Sequence, residues 1–218
     1  MFHKHFIKTY NVVWWFLMKH YIADYIDKNI KSITILVLCL VSGLVVGIIT
    51  YQFLDDGIRN EFVNSMKSTL DITKQENFEG INVIKNGIGS NSIMVALIYL
   101  GAITLIAPFI VCIFNLFKGF VLGIYVCTIF NIFGFGNGLL SIFLIVLVPN
   151  IVYIPSFIYM CVNSINFHYD IIDNNTNKLG RIIKESYLIL VGFSIMFLSV
   201  ILEQFLSNVV ISIYKNMG

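Results

Sequence analysis

Long uncharged apolar runs, separated by short polar intervals, make up most of this chain. Ile33–Leu54 holds 22 residues without a charge and stops at Asp55-Asp56. About 20 residues rising 1.5 Å each cross a hydrocarbon core of about 30 Å, so this run predicts a first membrane span. Residues 93–133 follow with 41 residues and one charge, Lys118. A single helix of that length measures about 60 Å, twice the bilayer, which predicts two spans. Lys at the centre of a span costs about 2.5–3.5 kcal/mol on insertion scales. That cost places the turn at Lys118 and the two helices at 93–115 and 118–133. Gly134, Gly136 and Gly138 around Asn137 read as a tight uncharged turn. Leu139–Val162 is the fourth predicted span, with Pro149 and Pro155 expected to kink it or unwind a turn. Tyr187–Leu206 is the fifth.

The polar intervals carry patterns of their own. In residues 1–31, Phe6, Tyr10, Trp14, Leu17, Tyr21 and Tyr25 recur at steps of three or four, the spacing of one helical face. Lys4, Lys8, Lys19, Lys28 and Lys31 supply basic charge. Two readings fit: an amphipathic helix lying at the membrane surface, or a cytosolic helix packed on the spans. In residues 56–92, Ile58, Phe62, Met66 and Leu70 repeat every four residues, which predicts a second amphipathic helix. Residues 86–91 then read as a turn. Residues 163–186 are polar and are expected to form a loop. The expected class is therefore an all-α membrane protein of about five transmembrane helices with an N-terminal amphipathic helix. Its organisation is a cytoplasmic interfacial segment, 1–31, and a transmembrane domain, 32–218, with an outer loop, 56–92, and a cytoplasmic loop, 163–186.

Composition agrees with the pattern. The 218 residues are 58% hydrophobic and 12% charged, whereas a soluble domain carries about 25% charged residues. A lipid-spanning barrel is excluded because its strands alternate apolar and polar over about ten residues, and these runs do not alternate. The first long apolar run is too long for the core of a secretory signal. A net charge of +2 gives no bulk attraction to nucleic acid. The Lys and Arg residues bear on orientation instead, since they favour the cytoplasmic side. With the N-terminus inside and the C-terminus outside, nine lie inside and five outside, and the opposite orientation reverses the bias.

Candidate chemistry is sparse. No zinc-protease, nucleophile-elbow or phosphate-loop motif is present, so no catalytic residue, cofactor or metal ligand is expected. Cys39, Cys112, Cys127 and Cys161 sit inside apolar runs and read as small hydrophobes. Glu203 is either an interfacial carboxylate or a proton or ion site. Asn115, Asn131 and Asn150 are either interhelical donors or local caps. Gly43/Gly47 and Gly119/Gly123 form two small-xxx-small patterns, which let helix backbones approach closely. They point to packing within the chain or to an interface with another protein. Pro149, Asn150 and Pro155 belong to the same set of helix-packing or interface candidates.

Taken in order, these features resemble the stage II sporulation protein M family of endospore-forming bacteria, in a clostridial-type sequence rich in Asn, Ile and Lys. They are the basic N-terminus, Gly43–Gly47 in a first span ending at Asp55-Asp56, Pro108, the Lys118-Gly119-Phe120-Val121-Leu122-Gly123 stretch, and Val148 through Pro155. The resemblance covers essentially the whole chain. It implies a non-enzymatic protein of the septal or engulfing membrane of the mother cell. It also implies an action with the peptidoglycan-degrading stage II sporulation proteins D and P, anchoring or recruiting them during engulfment. The alternative left open is the permease subunit of a transporter, with the kinked fourth span lining its path.

Overall fold

The computed structural model describes residues 2–72, 80–102, 106–173 and 178–217. Side chains are not described for 1–19, 68–88, 90, 171–179, 181, 204 and 207–218. Every element among these residues is helical: α1 (Phe2–Phe53), α2 (Asp56–Ile72), α3 (Gly80–Ala102), α4 (Ala107–Ser141), a π-helical segment (Ile142–Leu147), α5 (Val148–Asp173) and α6 (Lys178–Met217). Among the described residues, three stretches are long and apolar enough to cross a membrane: His20–Phe53, Ala107–Asp170 and Ile182–Glu203. A shorter apolar helix covers Asn91–Ala102. The chain divides into two units, Met1–Ile35 and Leu36–Gly218.

In the first unit α1 is helical from Phe2. Asn29 Nδ2 donates to the Tyr25 carbonyl at 2.9 Å and Thr34 Oγ1 to the Ile30 carbonyl at 2.7 Å. Polar side chains here bond back to their own helix. Residues 6–17 of the aromatic stripe lie outside the described side chains; Tyr21 is exposed and Tyr25 half-buried.

In the second unit, the 64-residue stretch Ala107–Asp170 is about 96 Å as a straight helix, three bilayers deep. It breaks at Gly134, where φ is +71° and ψ is −177°. Only glycine adopts that backbone without strain. The chain reverses there: Asn115 meets Cys161, and Lys118 meets Tyr153, so α4 and α5 run antiparallel. α3 runs parallel to α5, because Asn91 pairs with Tyr153 and Ile98 with Ser164.

α5 is the central helix. Phe157, Met160, Cys161 and Val162 are fully enclosed, and Tyr153, Ser156, Asn163, Ser164 and His168 are buried around them. A helix covered on all sides reads as apolar nearly throughout. α6 packs along it, with Gly192 closed against Met160.

Three expectations change. The break inside 93–133 lies between the end of α3 at Ala102 and the start of α4 at Ala107, and Lys118 lies mid-helix in α4. The deciding signal is Pro108 in the first turn of α4, a position where the missing N–H costs nothing and the fixed φ suits a helix start. In the interval 56–92, α2 is the expected helix, but residues 86–91, expected as a turn, are helical in α3. The interval 163–186 is also mostly helix. Ser164 in this interval is buried, and its Oγ donates to the Ile98 carbonyl at 3.3 Å.

Candidate functional site: a charged centre among four helices

Lys118 stands about midway along the apolar leg of α4 between Ala107 and the break at Gly134. Its ammonium lies 4.1 Å from the centre of the Tyr153 ring on α5. A cation over a desolvated aromatic face gains on the order of 2 kcal/mol. The Tyr153 hydroxyl donates to Asn91 Oδ1 of α3 at 3.1 Å. From α6, Glu203 is close enough to interact electrostatically with Lys118, Tyr153 and Tyr125. Four helices thus contribute to one polar centre in an apolar bundle. An isolated charge there is costly, and intramembrane charges pair with one another. Sequence reasoning missed this centre because Lys118 was assigned to a turn. The signal that could have found it was Tyr153 and Glu203 inside runs that otherwise lack charge.

The four glycines meet. Gly43 and Gly47 of α1 lie on the backbones of Leu116 and Phe120, and Gly119 and Gly123 of α4 lie on Leu40 and Leu44. Residue numbers rise together, so α1 and α4 run parallel. A Cβ at Gly119 would sit 2.9 Å from Leu44 N, and one at Gly123 would sit 2.9 Å from Ile48 N. The obstacle is backbone at all four positions, which cannot rotate aside. Lipid supplies no hydrophobic drive for helix association, so such close packing carries the contact. Both patterns are used here within the chain.

Pro149, Asn150 and Pro155 sit apart from that contact. The Val148 N–H bonds to the Phe143 carbonyl, five residues back, and the Pro149 ring removes the next donor. Beside it, Asn150 Nδ2 donates to the Val146 carbonyl one turn back at 2.7 Å. Pro155 lies inside α5. Asn150 and Pro155 line a groove of about 550 Å³ with Leu44, Leu122 and Val126.

At the end of α1 a second polar device appears. Arg59 of α2 donates to the carbonyls of Tyr51 (3.5 Å), Gln52 (3.3 Å) and Leu54 (3.2 Å) and pairs with Asp56 at 3.2 Å. Its guanidinium lies 5.5 Å from the Tyr51 ring centre, and the Tyr51 hydroxyl accepts from Asn131 Nδ2 at 3.2 Å. Of the remaining candidates, Asn115 is buried, donates to the Val111 carbonyl at 2.8 Å and faces Cys161 Sγ at 3.4 Å.

Among the described residues, no group of three His, Cys, Asp or Glu side chains is placed to hold a metal ion. The geometry is that of helix joints, held by backbone contact and paired polar groups. A family model described as stage II sporulation protein M matches residues 31–208. The chain belongs to the stage II sporulation protein M family. The match begins just before the glycine-bearing half of α1 and runs into α6, so it takes in the glycine contact, Arg59, the charged centre and the proline-bearing helix. Searches of curated proteins and of solved structures gave no match.

Proposed function

We propose that this chain is a non-enzymatic organiser of the sporulation septum, anchoring or recruiting peptidoglycan-degrading enzymes during forespore engulfment. In the terms of its family, the partners are stage II sporulation proteins D and P. The observation that carries the reading is the family match over residues 31–208, on a chain whose polar centres join helices to one another. Helix directions support five crossings: α1, α4 and α6 one way, α3 and α5 the other. With Lys118 inside the bundle, eight Lys and Arg residues lie on the N-terminal side and five on the other. This bias favours a cytoplasmic N-terminus and an external C-terminus. The outer segment that begins with α2 is then the surface offered to enzymes acting on the cell wall. The test is deletion in a sporulating strain with tagged peptidoglycan-degrading enzymes. Loss of their septal focus and blocked engulfment are expected. Normal localisation and engulfment would refute the reading.

A second reading is the permease subunit. It is favoured by the π-helical segment at 142–147 and the proline-bearing turn beyond it, which line the 550 Å³ groove. Broken helices of this kind line transporter paths. Substrate-dependent flux in vesicles holding the purified protein, lost on filling the groove with Leu122→Trp, would favour it over the organiser.

A further inference from the structure

The first helix of the bundle ends at Phe53, and α2 begins three residues later at Asp56. Helix ends leave four carbonyls without intrahelical donors. In most proteins water or a glycine cap serves them. Here a single side chain from the next helix does so. Arg59 reaches back to Tyr51, Gln52 and Leu54 through one nitrogen, and holds Asp56 through the other. A cation at a helix C-terminus also meets the negative end of the helix dipole. The planar fork suits this task, and a lysine ammonium has no such geometry. Arg59 is half-buried, whereas Asp56 is 89% exposed, so the carbonyls rather than the ion pair are the protected contacts.

The consequence lies on α2. The corner is short and has few ways to turn once its carbonyls are taken. α2 packs on α4, where Phe62, Ser65 and Met66 line a groove of about 410 Å³ with Phe117, Phe120, Ile124 and Tyr125. Val63 is buried, while Asn60, Glu61, Asn64 and Lys67 are exposed. A different corner angle would turn that exposed polar face elsewhere.

We propose that Arg59 is the positioning residue that locks α2 onto α4 and thereby fixes the polar face, Asn60, Glu61 and Asn64, that the outer segment presents to a protein partner. The partner half of this statement rests on the organiser reading; the locking half does not.

The test uses the full chain in membranes, with its native cysteines replaced. Met66→Cys with Ile124→Cys reports the α2–α4 contact through a short bismaleimide crosslinker. Leu44→Cys with Leu122→Cys reports the α1–α4 contact. Arg59→Gln is expected to cut the first crosslink at least fivefold and leave the second unchanged. Arg59→Lys is expected to fall between, and Asp56→Asn to behave as wild type. An unchanged first crosslink in Arg59→Gln overturns the proposal. Loss of both crosslinks overturns it too, because Arg59 would then support the whole bundle. In sporulating cells, the same Arg59→Gln protein is expected at normal abundance with its partner enzymes dispersed. If α2 is released and the enzymes still localise normally, the lock stands and the partner half is overturned.

Discussion

The Lys118 ammonium of α4 sits 4.1 Å above the Tyr153 ring of α5, in the middle of an apolar bundle. The ring faces this charge directly, and Glu203 of α6 is the acidic group whose field reaches it. Removing one member therefore leaves the other exposed to hydrocarbon. Lys118→Met is expected to destabilise the protein by about 2–3 kcal/mol, the scale of an unpaired charge at mid-span. Lys118→Met combined with Glu203→Gln is expected to recover most of that loss. Unfolding of purified protein in detergent mixtures measures both. A double variant no more stable than the single one would show that the two charges are not compensating each other.

Tyr153 does two jobs that substitution separates. Tyr153→Phe keeps the ring under Lys118 and loses the hydrogen bond to Asn91. The expected cost is about 1 kcal/mol, that of one hydrogen bond. Tyr153→Leu loses the ring as well and is expected to cost about 1–2 kcal/mol more. The same unfolding measurement ranks them, and equal losses would remove the ring–cation contact from the account.

The glycine contact gives the sharpest contrast in the fold. At Gly119 a side chain would strike the backbone of Leu40 and Leu44. Gly119→Val is expected to separate α1 from α4 or to cost at least about 1–3 kcal/mol, the range of overpacking. Gly57, in the first turn of α2, has nothing within 4 Å of where its Cβ would be. Gly57→Ala is expected to be neutral or stabilising by up to about 1 kcal/mol through the unfolded chain. Crosslinking between Leu44→Cys and Leu122→Cys reads the first, and unfolding reads the second.

Sidedness is open to chemistry. A single cysteine at Asn64, exposed on α2, is expected to react with an impermeant maleimide added to intact cells. One at Lys184, exposed near the start of α6, is expected to react only after the membrane is opened. The reverse pattern would invert the orientation.

How much of this was readable from the chain alone varies by element. The first and last apolar runs follow from hydropathy because length and lack of charge suffice. The glycine spacing was visible, but its partner was not: two patterns 72 residues apart meet only once α1 and α4 lie side by side in parallel. Lys118 misled for a physical reason. Its cost was reckoned for a lone charge, and Tyr153 and Glu203 lie too far along the chain for local spacing to reveal them. Pro108, in the first turn of α4, is the local signal that marks where that helix begins. Arg59 was counted only for its sign, since the carbonyls it serves appear as acceptors only when α1 is known to end beside it.

The central claim, that the chain organises wall-degrading enzymes at the septum, is tested most directly by affinity purification of the tagged full-length protein from sporulating cells. Partners are identified from the wild type and from Arg59→Gln in parallel. The account predicts recovery of peptidoglycan-degrading enzymes with the wild-type protein and their loss with Arg59→Gln at equal bait abundance. Recovery of a nucleotide-hydrolysing transport subunit, with no wall-degrading enzyme in either sample, would contradict it.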